Sequence, residues 1–189
     1  ADFENFPYYL QRKWTPYQPS AGDFIRSALK RGLKMEQQLG VNPYEFGVIG
    51  STDSHTSLPS AEENNFHGKL ATDSIPENKG GGALEGTRST GWDMSAAGMA
   101  AVWATENTRQ GIFDAMKRRE VYATTGPRIR VRFFGGWDFT ADDAKGEALV
   151  EAGYSRGVPM GGDLSSAPAG KSPTFLVAAM MDPRGGGPF

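Results

Sequence analysis

Apolar residues fall at helical spacing early in the chain. Ile25, Leu29 and Leu33 recur every four residues, with Phe24, Ala28 and Leu39 near the same face and Lys30, Arg31, Lys34 and Gln37 on the other. That periodicity predicts a surface helix over about 22–39. Ser20 to Asp23 has the Ser-x-x-Asp form of a helix cap, and Gly40 followed by Asn42-Pro43 is a strong stop. Phe46 to Gly50 is short, apolar on both faces and bounded by turn residues, as a buried parallel strand would be. Residues 56–91 are mostly Ser, Thr, Asn, Gly and charge, which predicts a long loop of the functional or mobile kind. From Trp92 the residues are small and apolar, a pattern for a short helix entering a strand at 101–104. Thr105-Glu106-Asn107 then caps a helix reaching about Arg119. Its expected core face is Ile112, Phe113 and Met116, with Lys117, Arg118 and Arg119 at the negative end of the dipole. Val121 to Ala123 reads as a strand, broken by Gly126-Pro127.

Strand, loop, helix and strand in that order make α/β organisation over residues 1–126, introduced by an aromatic, proline-rich ordered loop at 1–19. Beyond Pro127 the pattern changes. Arg128 to Phe134 alternates strictly, predicting a half-buried antiparallel strand with Ile129, Val131 and Phe133 inward and three arginines outward. A polar stretch, a glycine-rich turn at 157–162 and an apolar run from Phe175 to Met181 complete a β-rich appendage over 127–189. That appendage is expected to be truncated, since the last run needs a partner strand.

Composition narrows the class. The 25 glycines and 12 prolines are roughly a fifth of 189 residues, against an average near 12%. With 38% hydrophobic and 11% aromatic residues this is a folded, loop-rich chain rather than a low-complexity one. Twenty basic and 22 acidic side chains leave a net charge of -2, which argues against a broad nucleic-acid footprint. The longest uninterrupted apolar run is far short of the roughly 20 residues of a membrane span. No cysteine is present, so thiolate metal sites and cysteine nucleophiles are excluded. An opening Ala1-Asp2-Phe3 and a glycine-rich end, Gly185 to Phe189, point to a piece of a longer protein.

The candidate chemistry is sparse because there are two histidines, His55 and His67. His55 follows the expected strand in Gly50-Ser51-Thr52-Asp53-Ser54-His55. Ligands in α/β folds bind beyond the carboxyl ends of strands. Asp53 and His55 are two apart, so an extended backbone would turn both to one side. A carboxylate and an imidazole there suit a divalent metal. The same residues also read as turn caps beside a hydrogen-bonded histidine, and spacing alone leaves both open. No Walker A lysine follows Gly80-Gly81-Gly82, and no Gly-x-Ser-x-Gly elbow occurs.

Three blocks carry a resemblance. Gly47 to His55, Glu62-Glu63-Asn64-Asn65-Phe66, and Val102 to Arg109 continuing through Phe113 to Arg128 resemble a large, functionally uncharacterised bacterial family. That family is similar to the polymerase-and-histidinol-phosphatase (PHP) metallohydrolases. The resemblance implies an α/β fold: the last part of a distorted, PHP-like β/α barrel over 1–126, followed by the β-rich appendage. It implies a cluster of divalent metal ions (zinc, manganese or iron) and hydrolysis of phosphoesters, or related esters and amides, by a metal-activated water. Asp53 and His55 match the superfamily's last Asp-x-His motif and would be metal ligands and catalytic residues. The opening His-x-His and the middle ligands would lie upstream of residue 1, so the fragment alone is expected to be inactive. Many relatives are exported, which would place the protein in the periplasm or outside the cell.

Other positions have two readings each. Glu62 and Glu63 could hydrogen-bond the metal ligands or be a solvated acidic loop. Arg109 and Arg128 could hold an anionic small-molecule substrate by bidentate pairing, or be structural. His67 sits in a polar loop and reads as a surface histidine. The alternative from another class is a non-catalytic binding or assembly module, in which the β-rich part contacts a partner and Asp53 and His55 are structural.

Overall fold

The computed structural model describes residues 16, 18, 20–57, 68–72, 74–81, 90–93, 98–125, 127–146 and 148–183. They fall into two units. The first takes in Ala1–Phe46, Ser54–Leu58 and His67–Ser95, and the second Gly47–Asp53, Pro59–Phe66 and Ala96–Phe189.

The first unit is built on helix α1 (Ile25–Leu39). A 3-10 turn at Ala21–Asp23 precedes it, where the Ser20 backbone N–H donates to Asp23 Oδ2 at 2.7 Å, as the capping signature requires. Gly40 ends the helix with φ 75°, a left-handed conformation that glycine adopts without a steric penalty, and its N–H donates to Glu36 O at 2.8 Å. The amphipathic pattern is as expected, yet its apolar stripe is uncovered: Ile25 is 53% exposed and Leu33 65%. The buried residue of α1 is Gly32, where the Asn42 side chain folds back so closely that a Cβ would lie 2.2 Å from its Oδ1.

Phe46 to Gly50 forms no strand, which corrects the expectation of a buried parallel one. Val48 is 57% exposed and Ile49 64%. An apolar run specifies burial against a layer, but the layer must come from elsewhere in the chain, and no ladder among the described residues takes this segment in.

The second unit holds β1 (Gly98–Val102), α2 (Arg109–Lys117), β2 (Val121–Thr125), β3 (Arg130–Gly136), α3 (Ala148–Arg156), β4 (Gly157–Pro159) and β5 (Thr174–Met180). β1 and β2 pair antiparallel from Gly98↔Thr125 to Val102↔Val121, so the helix between them sits in a long hairpin connection, not a parallel crossover. Thr108, not Thr105, caps α2: its Oγ1 accepts from the Gly111 N–H at 3.1 Å. The covered positions of α2 are Gly111 and Ala115, while Phe113 (57% exposed) and Met116 (45%) face out. The expected core face is thus displaced to the small residues. A Cβ on Gly111 would come within 2.6 Å of the Glu106 carbonyl oxygen, an approach that larger side chains forbid.

β3 is the centre of a three-stranded antiparallel sheet in the order β4-β3-β5. The run expected to lack a partner, β5, pairs with β3 along its whole length, from Arg130↔Met180 to Gly136↔Thr174. The inward face of β3 is the opposite of that read from alternation. Phe134 is fully buried with Phe139, Leu149, Ala152 and Leu176, whereas Phe133 stacks on Phe175 at the exposed face. Helix α3 replaces part of the expected polar stretch. It closes this core because Gly153 lets the Phe134 ring lie against its backbone; a Cβ there would be 2.5 Å from Phe134 Cγ.

Mixed α and β content in two small antiparallel sheets, with no closed barrel among the described residues, is the architecture. No helix among them is long and apolar enough to cross a membrane.

Candidate functional site

Asp53 ends the first segment of the second unit, and His55 belongs to the first unit. Asp53 is exposed and adopts φ 55°, a left-handed conformation uncommon outside glycine and more accessible to Asp than to most residues. Its N–H donates to Ser51 Oγ at 3.4 Å. Because the backbone turns at Asp53, the extended alternation that would set Asp53 and His55 on one side does not run through it. His55 is also exposed, and its N–H donates to the Lys69 carbonyl at 2.6 Å, which ties residues 54–57 to the segment around Lys69. Ser54 Oγ and Thr56 Oγ1 are hydrogen-bonded at 2.9 Å.

Arg109 is the exposed first residue of α2. Arg128, also exposed, lies between β2 and β3, and its N–H donates to Asp182 Oδ2 at 2.7 Å. Glu62, Glu63 and His67 lie outside the described residues. Among the described residues, no three His, Cys, Asp or Glu side chains gather where they could hold a metal ion.

A polar cluster that pattern reading missed sits at the junction of β1, α2, β3 and α3. Glu120, 4% exposed, accepts from the Tyr154 hydroxyl and from Arg118 Nη2 at 3.3 Å; Arg132 Nη1 is 3.9 Å away. Arg132 donates to Tyr154 Oη at 2.7 Å, and its guanidinium lies 3.4 Å from the centre of the Trp103 ring. Trp103 in turn donates from Nε1 to the Val131 carbonyl at 2.8 Å and from its backbone to the Glu120 carbonyl at 3.0 Å. Arg132, expected on a solvated sheet face, therefore points into this cluster on the same face as Phe134. Burial pushes the Tyr154 hydroxyl above its usual range, and the hydrogen bond to Glu120 and the Glu120 charge add to this, while Arg132 opposes it. These charges satisfy one another, so the cluster is a structural joint rather than a docking place for an ion. The available signal was a lone acid, Glu120, between two arginines and the apolar start of β2. An open depression of about 710 Å³ lies along the outer side of α3, lined by Val150, Glu151, Tyr154 and Ser155, none of them a residue singled out from sequence.

No curated protein and no solved structure matches the chain. Residues 1–187 match the family described as "Protein of unknown function (DUF3604)". Since that match takes in all but the last two residues, the protein belongs to the DUF3604 family.

Proposed function

We propose that this chain carries the last two ligands, Asp53 and His55, of a divalent-metal site in a hydrolase resembling the PHP enzymes, within what would be the closing part of their distorted β/α barrel. The observation that carries the reading is the conformation of Asp53. A non-glycine residue held at φ 55°, exposed, two residues before an exposed His55, is the kind of backbone outlier that clusters at ligand sites.

The donors fit such an ion in kind, as one carboxylate oxygen and one imidazole nitrogen suit zinc, manganese or iron. In number they are half of the roughly four ligands a tetrahedral site takes. On this proposal the others come from chain preceding Ala1, with Glu62 and Glu63 hydrogen-bonding the ligands. A bound ion of this class lowers the pKa of its water towards about 7. His55 would bind through one ring nitrogen and leave the other to a hydrogen-bond acceptor, which sets its tautomer. Arg109 and Arg128 would pair with an anionic substrate.

The test uses the intact natural protein and its His55→Ala and Asp53→Asn variants. Metal content after incubation with Zn²⁺ or Mn²⁺, and turnover of a simple phosphate monoester, are both expected to fall by at least about tenfold, as loss of a direct ligand should. Circular dichroism should be unchanged. Wild-type metal content and turnover in both variants would remove these residues from the site and favour a binding or assembly role.

A further inference from the structure

The segment that delivers Asp53 rests on the β1–β2 hairpin at a set of glycines. Gly47 lies on the stem of Arg119, where a Cβ would be 3.3 Å from Arg119 Cγ. Gly50 lies on β2 and β1, where a Cβ would be 2.6 Å from Ala123 Cβ and 3.3 Å from the Met99 carbonyl oxygen. From the hairpin side, a Cβ on Gly98 would overlap the Ser51 carbonyl oxygen at 1.6 Å. Neither Gly50 nor Gly98 has the positive φ that would demand glycine for its backbone, so close approach is what excludes a side chain. Arg119 closes one end of this seat. It is held at φ 62° behind α2, and its Nη2 donates to Asp163 at 2.9 Å.

Residues 47–51 join no β ladder, and Val48 and Ile49 are exposed, so packing against the hairpin is what locates this segment. Asp53 follows two residues after Ser51. We infer that Gly50 and Gly98 are positioning residues for Asp53: their missing side chains let 47–51 seat on β1–β2, and the seat sets where the Asp53 carboxylate is presented. The chemical meaning of that presentation rests on the metal reading of Asp53; the seat does not.

The test introduces Gly50→Ala and Gly98→Ala into the intact protein, with Ala123→Gly as the second change. Adding a methyl at position 50 creates a 2.6 Å overlap that removing the Ala123 methyl relieves, leaving the Met99 carbonyl oxygen at 3.3 Å and Ala123 Cα at 3.6 Å. Amide hydrogen exchange reads the seat, and binding of Co²⁺ alone reads the ligand. Exchange in peptides covering 47–53 is expected to quicken at least about tenfold in Gly50→Ala, with 130–136 and 174–180 unchanged. Co²⁺ affinity should weaken by about tenfold or more. Ala123→Gly should restore both in the Gly50→Ala protein and neither in the Gly98→Ala protein. Wild-type exchange in Gly50→Ala, or no rescue by Ala123→Gly, overturns the inference. Unchanged Co²⁺ affinity in Gly50→Ala, while Asp53→Asn weakens it, overturns it too. If Asp53→Asn and Gly50→Ala both leave Co²⁺ binding untouched while exchange quickens and is rescued, the seat stands and the metal reading of Asp53 falls. Should Gly98→Ala not fold, Gly50→Ala and its rescue decide the matter.

Discussion

Replacing Glu120 by Gln tests whether the buried acid holds the second unit together. Its carboxylate is 3.3 Å from Arg118 and 3.9 Å from Arg132, with side-chain exposures of 5% for Glu120, 47% for Arg118 and 22% for Arg132. At an effective dielectric of about 20, those separations give gross attractions of about 5 and about 4 kcal/mol. Desolvating the ions takes back several kcal/mol each, and the half-exposed Arg118 keeps much of its solvent screening. What survives is close to the net worth of a hydrogen bond to a charged group, so Glu120→Gln should cost about 2 kcal/mol. The amide can still accept from Tyr154, whereas Glu120→Ala leaves the Tyr154 hydroxyl without its acceptor and Arg118 and Arg132 without their counter-charge, and should cost about 3–4 kcal/mol. Urea unfolding at neutral pH reads this: at a slope of about 2 kcal/mol/M, the Gln variant's midpoint should drop by about 1 M with the slope unchanged. A double-mutant cycle with Arg132→Gln should give a coupling of about 1 kcal/mol or more. A Gln variant within about 0.5 kcal/mol of wild type would refute the reasoning and make the cluster a consequence of the fold, not one of its supports.

Three further outcomes follow from the same unit. Phe134→Ala removes the fully buried ring between α3 and the sheet and should cost about 3–5 kcal/mol in urea unfolding, while Gly153→Ala should cost about 1–3 kcal/mol through overlap with that ring. The Tyr154 hydroxyl is held above its usual range, so its contribution is complete below the ordinary phenol range and is lost as pH rises through the raised value. The stability of wild type should therefore fall on the alkaline side more steeply than that of Tyr154→Phe, and equal slopes would count against the contact with Glu120. Thr108→Ala deletes the acceptor for the Gly111 N–H and should cost about 1 kcal/mol, measured by thermal or urea unfolding; Thr105→Ala, outside the cap, should be close to neutral.

Local pattern was enough for the elements whose signals are local. Ser20, Asp23 and Gly40 are a start and a stop written in adjacent residues, and α1 lies between them. The runs at 121–125 and 174–180 are strands because continuous apolar, β-favouring residues leave few other choices. Asp53-x-His55 could be singled out as the candidate ligand pair from its residue types alone. Tertiary structure decided what depends on distant residues. β1 and β2 run antiparallel because the 103–120 connection turns back on itself, a sense that no local periodicity encodes. Alternation in β3 is the same whichever face is buried; Phe134 won over Phe133 because Gly153 on α3 leaves room for its ring. Arg132 and Glu120 look like surface charges until Trp103 and Tyr154 are brought to them across 29 and 34 residues of chain. Gly50 and Gly98 look like ordinary turn and strand residues until the fold presses Ser51 and Ala123 against them. Periodicity reports which residues seek burial, and only packing supplies the partner, the direction and the face.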